Sequence, residues 1–500
     1  MIITTLICIT FFLLCLRMRK AHRYWKQRNT LHIKPWPFFG FVAPTLIRYK
    51  AFPWVLQDAY NVFPEQRCFG LYQFLTPYLV IRSPDLINRI TVEDFDTFPN
   101  HKSVIDSDSD PIYDKILFCM KAEEKWKDLR SVLVNTIFGN ELKRMFELIQ
   151  SCSKNYVRYL LEQKDNSAIE LKGLTTKFAN DVIATTVYGV SCNSLEADEK
   201  SFYTMSKFVT DFNLLRTIKF FLYGLSPRIM KFFKFSLIES RTRDFYLSLL
   251  KDDNSTKPNL MHYLQLNQLP NEDQKRKLEI NEEDVLAQSI QFLYFGYKTV
   301  STALMFLMHE LSLHQEIQAK LADEIRECCP KNEVGITYQS LIEMEYLDMV
   351  VAESLRKWPP TITTDRKSNR TFTIVAKELW EETTEFDGGT LCLIPIFAIH
   401  RDPKYFTNPD QFDPERFNGE NRKSIKPNTY LPFGVGPRNC IGSQYAIIEM
   451  KTFIFYLLRN FEVVKVNRTQ DTISLSKTVF QLVPNGNVWV GLKRRTNQHI

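Results

Sequence analysis

The stretch Phe433–Gly442, FGVGPRNCIG, constrains the fold of this chain more than any other part of it. It places Cys440 in a glycine-rich loop, two residues after Arg438 and directly before an apolar segment. A lone cysteine is usually a buried structural residue, but this loop suits a haem iron held by a thiolate. Arg438 can pair with a carboxylate of the cofactor, and Gly436 and Gly442 let the backbone approach a flat macrocycle.

Every specified position of the pattern Phe-x-x-Gly-x-Arg-x-Cys-x-Gly is present, and the chain thereby resembles the cytochrome P450 monooxygenases over nearly all of its length. The resemblance implies that Cys440 is the axial ligand of the iron of haem b. It also implies that Phe433, Gly436, Arg438 and Gly442 form the cofactor-binding loop. A thiolate ligand donates electron density to iron and favours cleavage of the O–O bond. The chain is most similar to the microsomal animal families numbered 6 and 9.

Hydrophobic periodicity predicts an α-rich chain of the α+β class. Two short segments, 68–72 and 78–81, are rich in strand-forming residues. Asn281 followed by acidic residues predicts a helix that continues to about residue 310, and residues 345–358 predict another. After the cysteine, helical spacing predicts one buried face, formed by Ala446, Met450, Phe453, Ile454, Leu457, Leu458 and Phe461. The resemblance implies the cytochrome P450 fold, a helical body with a small β region and the haem between two long helices.

The N-terminal segment predicts a membrane anchor. Residues 1–16 are almost wholly apolar and run into a basic cluster between residues 17 and 23. This order, without a small-x-small cleavage site, favours an uncleaved anchor over the alternative of a secretory signal peptide. A short apolar run suits the thin membrane of the endoplasmic reticulum. We therefore expect, on the cytoplasmic face of that membrane, an anchor over 1–20, a basic and proline-rich hinge over 21–40 and a catalytic domain over 41–500.

Composition narrows the remaining classes of protein. The ten cysteines are scattered without a framework spacing, which is typical of a reducing compartment rather than a disulfide scaffold. The net charge of +7 suits an anionic membrane surface or an acidic protein partner. No basic block with interleaved aromatic residues indicates nucleic-acid binding. No flavin or dinucleotide motif is present in the sequence, so the electron donor that the resemblance implies must be a separate protein.

The resemblance implies further cofactor contacts from Trp126 and Arg130, which lie four residues apart, and from Arg366. Together with Arg438 they match positions that contact the haem propionates in the family, and the arginine fork suits a carboxylate. Without the resemblance, Trp126 and Arg130 would indicate only one turn of an amphipathic surface helix.

Glu353 and Arg356 place an acid and a base three residues apart on one predicted helix, a pair that alone would indicate a solvated surface contact. They precede Arg416, in the motif Pro-Glu-Arg-Phe, and then the loop that carries Cys440. The resemblance implies that the three charged residues form a buried network that holds this loop. Because a buried charge needs a partner, we expect the role of the network to be structural.

The segment Phe295–Thr299, FGYKT, departs from the family pattern Ala-Gly-aromatic-acid-Thr. The resemblance implies that Gly296 leaves a notch for dioxygen and that the hydroxyl of Thr299 takes part in proton delivery. Lys298 replaces the acid and cannot relay protons in the same way, while Phe295 replaces a small residue and would crowd the cavity. The implied catalytic set is therefore Gly296, Lys298 and Thr299.

The predicted function is a haem-thiolate monooxygenase that inserts one oxygen atom of O2 into lipophilic substrates, xenobiotic or endogenous. The implied partners are NADPH–cytochrome P450 reductase, with cytochrome b5 as a further candidate. Because of Lys298, two alternatives stay open: a haem protein that binds lipophiles without turnover, and a cytochrome P450 that rearranges peroxides. The apolar segment 218–223 predicts core packing, with membrane contact as its alternative. Family position implies substrate contacts at Val104–Ile105, Phe208–Phe212, Phe295, Thr299, Thr361–Thr363 and Val479–Phe480.

Overall fold

The computed structural model of the protein describes residues 2–102, 111–137, 139–164, 167–196, 202–210, 240–251, 280–328, 335–379 and 381–495. Helices dominate these ranges, as the sequence predicts. They are α1 (Ile2–Ala21), α2 (Ala43–Leu46), α3 (Phe52–Asn61), α4 (Pro84–Asn88), α5 (Pro111–Asp114), α6 (Glu124–Ile137), α7 (Asn140–Glu162), α8 (Leu171–Thr186), α9 (Phe202–Thr210), α10 (Ser240–Lys251), α11 (Glu282–Phe292), α12 (Lys298–Leu313), α13 (Gln315–Cys328), α14 (Tyr338–Glu343), α15 (Glu345–Lys357), α16 (Ile396–Ile399), α17 (Asn421–Ser424) and α18 (Ser443–Asn460). Wider π turns occur at Arg89–Glu93 and Leu293–Tyr297, and 3-10 turns at Lys26–Arg28, Ser194–Glu196 and Pro414–Phe417.

The β region is small. The strands are β1 (Cys68–Gln73), β2 (Thr76–Ile81), β3 (Ser167–Glu170), β4 (Thr364–Lys367), β5 (Phe372–Ile374), β6 (Thr384–Phe386), β7 (Leu391–Ile394), β8 (Phe461–Val464) and β9 (Trp489–Arg494). In the sheet ordered β1-β2-β7-β4, only the β2–β7 pair is parallel. The other sheets, β3-β9-β8 and β5-β6, are antiparallel. The two strands predicted between residues 68 and 81 are confirmed, and they form one hairpin.

The main hydrophobic core lies where α7, α8, α12 and α18 pack together. Phe178 of α8 and Phe453 of α18 are fully buried, and their ring centroids lie 4.2 Å apart. Aromatic side chains bury more apolar area than other residues, so a pair of this kind strongly favours one arrangement of the two helices. The core thereby fixes α18, the helix that follows the Cys440 loop, against α8 and α12.

The helix predicted to begin at Asn281 is confirmed, and its start is a capping box. The side-chain oxygen of Asn281 accepts a hydrogen bond from the Asp284 N–H at 2.9 Å, and the Asp284 carboxylate accepts one from the Asn281 N–H at 3.1 Å. The sequence predicts one uninterrupted α-helix, but the structure widens it into a π turn at Leu293–Tyr297 before α12 continues to Leu313. Such π turns within α-helices are frequent at functional sites.

The helix after Cys440 differs from its prediction in two respects. The sequence predicts one buried face, but Glu449, Lys451 and Thr452 are also buried, so α18 is enclosed on nearly all sides. Burial raises the pKa of Glu449 well above its usual value. The helix ends at Asn460, and Phe461, which the sequence assigns to its apolar face, begins β8 instead.

The segment predicted as a hinge is packed on the sheet. Trp25 is fully buried, and its indole N–H donates to the Leu71 carbonyl at 3.0 Å. A Cβ at Gly70 would lie only 2.5 Å from the Trp25 ring, so the close approach requires glycine there. Ahead of it, several apolar side chains of α1 are exposed. Among the residues that the structure describes, no helix has the length and apolar character of a membrane span.

Candidate active site

A cavity of about 330 Å³ lies between the composite helix α11–α12 and helix α18. One face of the composite helix lines it with residues at helical spacing: Phe292, Phe295, Gly296, Thr299, Val300 and Ala303. Cys440, Ile441, Gly442 and the first turns of α18 also line it. The cavity therefore occupies the position between two long helices that the resemblance implies for the cofactor.

The loop that carries Cys440 folds back on itself through its own backbone. The Cys440 N–H donates to the Phe433 carbonyl and the Asn439 N–H to the Gly436 carbonyl, both at 2.9 Å. The exposed surface of Cys440 faces this cavity. The surrounding protein nevertheless desolvates the thiol and thereby raises its pKa. The N–H of Gly442 and the charge of Arg130 oppose that shift. A bound metal cation would supply the further positive charge that a thiolate needs.

The two glycines assigned to the macrocycle have different roles. Gly436 has a positive φ of +78°, and a Cβ there would lie 2.0 Å from the Thr91 carbonyl oxygen. It is also absent from the cavity lining among the described residues, so its packing partner is the π turn at Arg89–Glu93 and not the cofactor space. Gly442 does line the cavity, and a Cβ there would meet no heavy atom within 4 Å. The structure thus explains why glycine is needed at position 436, and the contact of Gly436 with the cofactor stays a prediction.

The substitution Gly436→Ala should destabilise the protein by about 1–3 kcal/mol or more, because the Thr91 backbone has to move. Gly419→Ala is the matched control, because a Cβ there would meet no heavy atom within 4 Å and Gly419 does not line the cavity, so its effect should stay within about 0.5 kcal/mol. Thermal unfolding followed by circular dichroism compares the two variants. Equal melting temperatures would show that the Thr91 contact does not restrict residue 436.

Arginines gather at one end of the cavity. Arg438 donates to the carbonyls of Pro99 at 2.9 Å and Met120 at 2.7 Å, and its guanidinium lies 4.2 Å from the Trp126 ring centroid. Burial, then the charges of Arg366 and Arg130, lower the pKa of Arg438 to about 9. Neighbouring cations whose pKa values are lowered repel one another, which indicates a site that would be stabilised by a bound anion.

Arg130 and Arg366 complete this cationic end. Arg130 donates to the Asn439 carbonyl at 3.0 Å, next to Cys440. Arg366, on β4, is fully buried, and its Nε has no hydrogen-bond partner among the described residues. Burial lowers its pKa to about 10, although Asp365 opposes the shift. Trp126, Arg130, Arg366 and Arg438 thus meet at one cavity, as the resemblance implies.

His101 and Asp365 also line this end, and the sequence analysis missed them. The Asp365 carboxylate accepts from the Lys102 N–H at 2.6 Å and lies 3.1 Å from His101 Nδ1. Burial lowers the pKa of His101, and Asp365 opposes that shift. The His101 ring stacks on Phe118 with the centroids 4.3 Å apart. No local motif marks this pair, because the two residues are 264 positions apart.

The structure brings the predicted charged network together. Arg356 donates to both oxygens of Glu353, at 2.7 and 2.8 Å, and both side chains are completely buried. Arg416 lies 3.5 Å from Glu353 and is partly exposed. Arg356 also donates to the carbonyls of His400 and Pro409, each at 2.8 Å. The pair therefore holds the chain segment that leads toward the Cys440 loop.

His400 is the link between this network and the loop, and no sequence signal pointed to it. Its Nε2 accepts from the Leu431 N–H at 2.7 Å, which leaves Nδ1 to donate to the Arg356 carbonyl at 3.0 Å. Burial, then the charge of Arg356, lower the pKa of His400 to about 3. The Gly434 N–H in turn donates to the Leu431 carbonyl at 3.1 Å. A neutral histidine thus connects Arg356 to the base of the loop.

The long helix brings two of its three predicted catalytic residues to the cavity. Gly296 and Thr299 line it, and the Thr299 hydroxyl donates to the Phe295 carbonyl. Lys298 is half-buried and is not among the described residues that line the cavity, because one helical step turns it about 100° away from Thr299. The assignment of Lys298 to the catalytic set stays a prediction, although only Gly296 and Thr299 of that set line the cavity. A Cβ at Gly296 would lie 2.8 Å from Ile183, so this glycine also permits close packing of α8.

The candidate substrate contacts divide into separate groups. Phe295, Thr299, Thr361 and Thr363 line the cavity. Phe480 does not line it and packs instead on Phe52, with ring centroids 5.1 Å apart. Val104–Ile105, the end of the strip Phe208–Phe212 and the segment 218–223 lie outside the described residues, so those predictions stay predictions.

These residues fit a haem. The unpaired Nε of Arg366 and the crowded arginines call for carboxylates, and a haem carries two of them. The open space at Gly442 and the thiol of Cys440 suit a flat group with a central metal. Cys440 would hold the iron, while Arg130, Arg366 and Arg438 would hold the carboxylates.

Comparison with known proteins agrees with this geometry. The family model described as Cytochrome P450 matches residues 33–489. Cytochrome P450 9e2 of Blattella germanica is 36% identical and the match covers 95% of each chain. Probable cytochrome P450 9f2 of Drosophila melanogaster is 34% identical over 94% of this chain and 95% of its own. Cytochrome P450 6j1 of Blattella germanica is 29% identical over 99% and 97%. The chain therefore belongs to the cytochrome P450 family of haem monooxygenases.

Proposed function

We propose that this member of the family inserts one oxygen atom of O2 into uncharged, lipophilic small molecules, xenobiotic or endogenous, with NADPH as the source of electrons. The observation that carries the proposal is the position of Cys440, whose thiol faces a largely apolar cavity that Gly296 and Thr299 also line. A bound haem supplies the iron at which dioxygen is activated. The residues of the chain bind that group, shape the cavity and supply protons.

Thr299 is suited to hold a water molecule as a proton source. Its hydroxyl already donates to the Phe295 carbonyl, so the oxygen remains available as an acceptor. A water that donates to this oxygen would sit beside Gly296 in a cavity with few other polar groups. Lys298, which replaces an acid, is not among the described residues that line the cavity.

The lining favours neutral substrates. Its charged side chains, Arg130, Asp365, Arg366 and Arg438, lie at the end that suits the carboxylates of the cofactor. The rest is formed mainly by aliphatic and aromatic residues. A charged substrate would lose its hydration there without gaining a partner, which is costly. Apolar cavities with a few polar groups are typical of small-molecule sites.

Electrons are proposed to come from NADPH–cytochrome P450 reductase, with cytochrome b5 as a second donor. The loop that carries Cys440 reaches the surface at Pro437, which is exposed and does not line the cavity. Arg130 joins this loop to α6, and the exposed Lys127 lies on the same helix. An acidic electron carrier that docks there would meet positive charge close to the cysteine, which speeds association.

The protein is further proposed to act at the cytoplasmic face of the endoplasmic reticulum, held there by residues 1–20. Support comes from the apolar run at 1–16 and from exposed side chains such as Phe12 and Leu13. Deletion of residues 1–20 should release most of the protein from microsomes, as carbonate extraction and sedimentation would measure. Trp25 remains in the truncated protein, so the body should fold. Equal membrane retention of both forms would contradict the proposal.

The first test of the proposed function concerns Cys440 as the axial ligand of the haem iron. The reduced wild-type protein with carbon monoxide should give the absorption band of thiolate-ligated haem. Cys440→Ala should abolish this band, and Cys440→His should move it to the position of imidazole-ligated haem. Cys119→Ala is the control, because Cys119 is near Arg438 but does not line the cavity. An unchanged absorption band in Cys440→Ala would show that Cys440 is not the ligand of the iron.

Turnover then separates the proposal from its alternatives. Haem-loaded protein with reductase and NADPH should convert members of a panel of neutral lipophiles to oxygenated products. A thiolate spectrum without any NADPH-dependent product would favour a lipophile-binding protein. Product formed from organic hydroperoxides without reductase would favour peroxide rearrangement.

A further inference from the structure

We propose that His101, Phe118 and Phe295 form an aromatic wall in the cavity that selects flat aromatic substrates over saturated molecules of the same size. This inference deepens the proposed function and rests on it. All three residues line the cavity. The His101 and Phe118 ring planes are 19° apart with centroids at 4.3 Å, and the Phe118 and Phe295 centroids are 5.4 Å apart. The Phe118–Phe295 separation lies within the range that aromatic pairs prefer, and the His101–Phe118 separation lies just below it.

The wall offers open ring surface to a ligand. Phe118 is 45% exposed and Phe295 is 40% exposed, and both line the cavity that a substrate would share with the cofactor. The resemblance implies a small residue at position 295, where this chain has the ring of Phe295. A flat aromatic molecule can stack on these rings or meet their edges. A saturated molecule gains only the burial of its apolar area.

Hydrogen bonds fix the wall before any substrate enters. The side-chain oxygen of Gln291 on α11 accepts from the Phe118 N–H at 2.9 Å. One turn earlier, the Gln288 side chain donates to the Lys115 carbonyl at 2.6 Å. Both glutamines are buried, so they attach the chain before α6 to the helix system that carries Phe295. On the other side, Asp365 holds His101.

A preformed wall affects selectivity as well as affinity. Because its rings are already ordered, a substrate does not have to offset the entropy of ordering them. The charged groups beside His101, namely Asp365 and Arg366, lie at the end that suits the cofactor carboxylates. The ring surface of Phe118 and Phe295 is therefore the part of the wall that remains for a neutral ligand.

The test compares phenanthrene with its saturated counterpart perhydrophenanthrene. Binding to the haem-loaded protein is measured by equilibrium dialysis and, independently, by the absorbance change of the haem, without reductase. Affinities are divided by each compound's water-to-octanol partition coefficient. The wild-type protein should then prefer phenanthrene by about two- to tenfold, which corresponds to the usual worth of one aromatic pair.

Phe295→Leu and Phe118→Leu should each remove most of this preference. Phe292→Leu is the matched control, because Phe292 lines the same cavity one turn before Phe295 but is not part of the wall. It should keep the preference. No preference in the wild type, or a full preference in both wall variants, would overturn the inference. If the wild-type protein has a thiolate spectrum and turnover but no preference for phenanthrene, the inference about the aromatic wall is wrong and the proposed function stands. If the wild-type protein has no thiolate spectrum, the proposed function itself is wrong.

Discussion

Glu353→Ala should lower the free energy of unfolding by about 3–5 kcal/mol and sharply reduce the haem content. The substitution leaves the Arg356 guanidinium completely buried without its carboxylate. It also removes the acceptor of the Asp413 N–H, which donates to Glu353 at 2.9 Å. Arg356 would then no longer be held where it binds His400, so the base of the Cys440 loop should loosen. Urea unfolding and the haem-to-protein absorbance ratio measure the two effects.

Two further variants show whether the charge pair itself is responsible. The double variant Glu353→Ala/Arg356→Ala should be less destabilised than the sum of its single variants, because neither charge is left alone. Arg416→Ala should cost less than Glu353→Ala, because Arg416 is partly exposed and lies 3.5 Å from the carboxylate. Strict additivity in the double variant would show that the two residues act independently.

Acid should destabilise the protein through His400. The unfolded histidine titrates near pH 6.5, whereas the folded pKa is lowered to about 3. Between these values the unfolded state binds a proton that the folded state does not bind. The free energy of unfolding therefore falls by about 1.4 kcal/mol for each pH unit below 6.5, and by about 5 kcal/mol over the whole window. Stability from this group is fully present above pH 6.5.

The variant His400→Gln separates this effect from other acidic and basic groups. It removes the titrating ring but keeps a side chain that can still bind one backbone partner. The variant should be less stable than the wild type at pH 7, and its stability should fall less steeply as the pH decreases from 6.5 to 4. Urea unfolding at a series of pH values gives both slopes. Parallel slopes would show that another group causes the acid lability.

Sequence patterns that extend over only a few residues were sufficient to predict several helices and strands of the fold. Asn281 with its acidic followers predicted a helix start because a capping box involves only four consecutive residues. The strands β1 and β2 were predicted because each is a short run of strand-forming residues. The resemblance to a known family implied the roles of the arginines and of Cys440, and the structure gathers these residues at one cavity.

Residues that act through distant partners could not be found in this way. His101 meets Asp365, and His400 meets both Arg356 and Leu431, only after the chain has folded. Neither histidine belongs to a periodic pattern. Glu449 illustrates the same limit, because a helical pattern does not say that all sides of α18 are enclosed. The raised pKa of the Glu449 carboxyl follows from its burial.

The interpretations of Gly436 and Lys298 from the sequence were incomplete for one physical reason. Gly436 was interpreted from what a loop near a macrocycle requires, but the nearest constraint is the Thr91 carbonyl of another segment. Lys298 was interpreted from a linear motif, whereas a helix turns neighbouring residues toward different surroundings. A motif identifies residue types in order. It does not specify which of them share a face or which backbone they approach.

The contact between Gly436 and Thr91 has a consequence for how the cofactor enters. The loop takes its shape from the chain itself, through Thr91 and through the Leu431–His400 bond, so its entropy is lost when the polypeptide folds. A haem would then bind to a loop whose shape is already set, and its affinity should be coupled to the stability of the neighbouring segment 84–93. That segment is far from Cys440 in the sequence. Substitutions in it should nevertheless change how tightly the protein retains its cofactor.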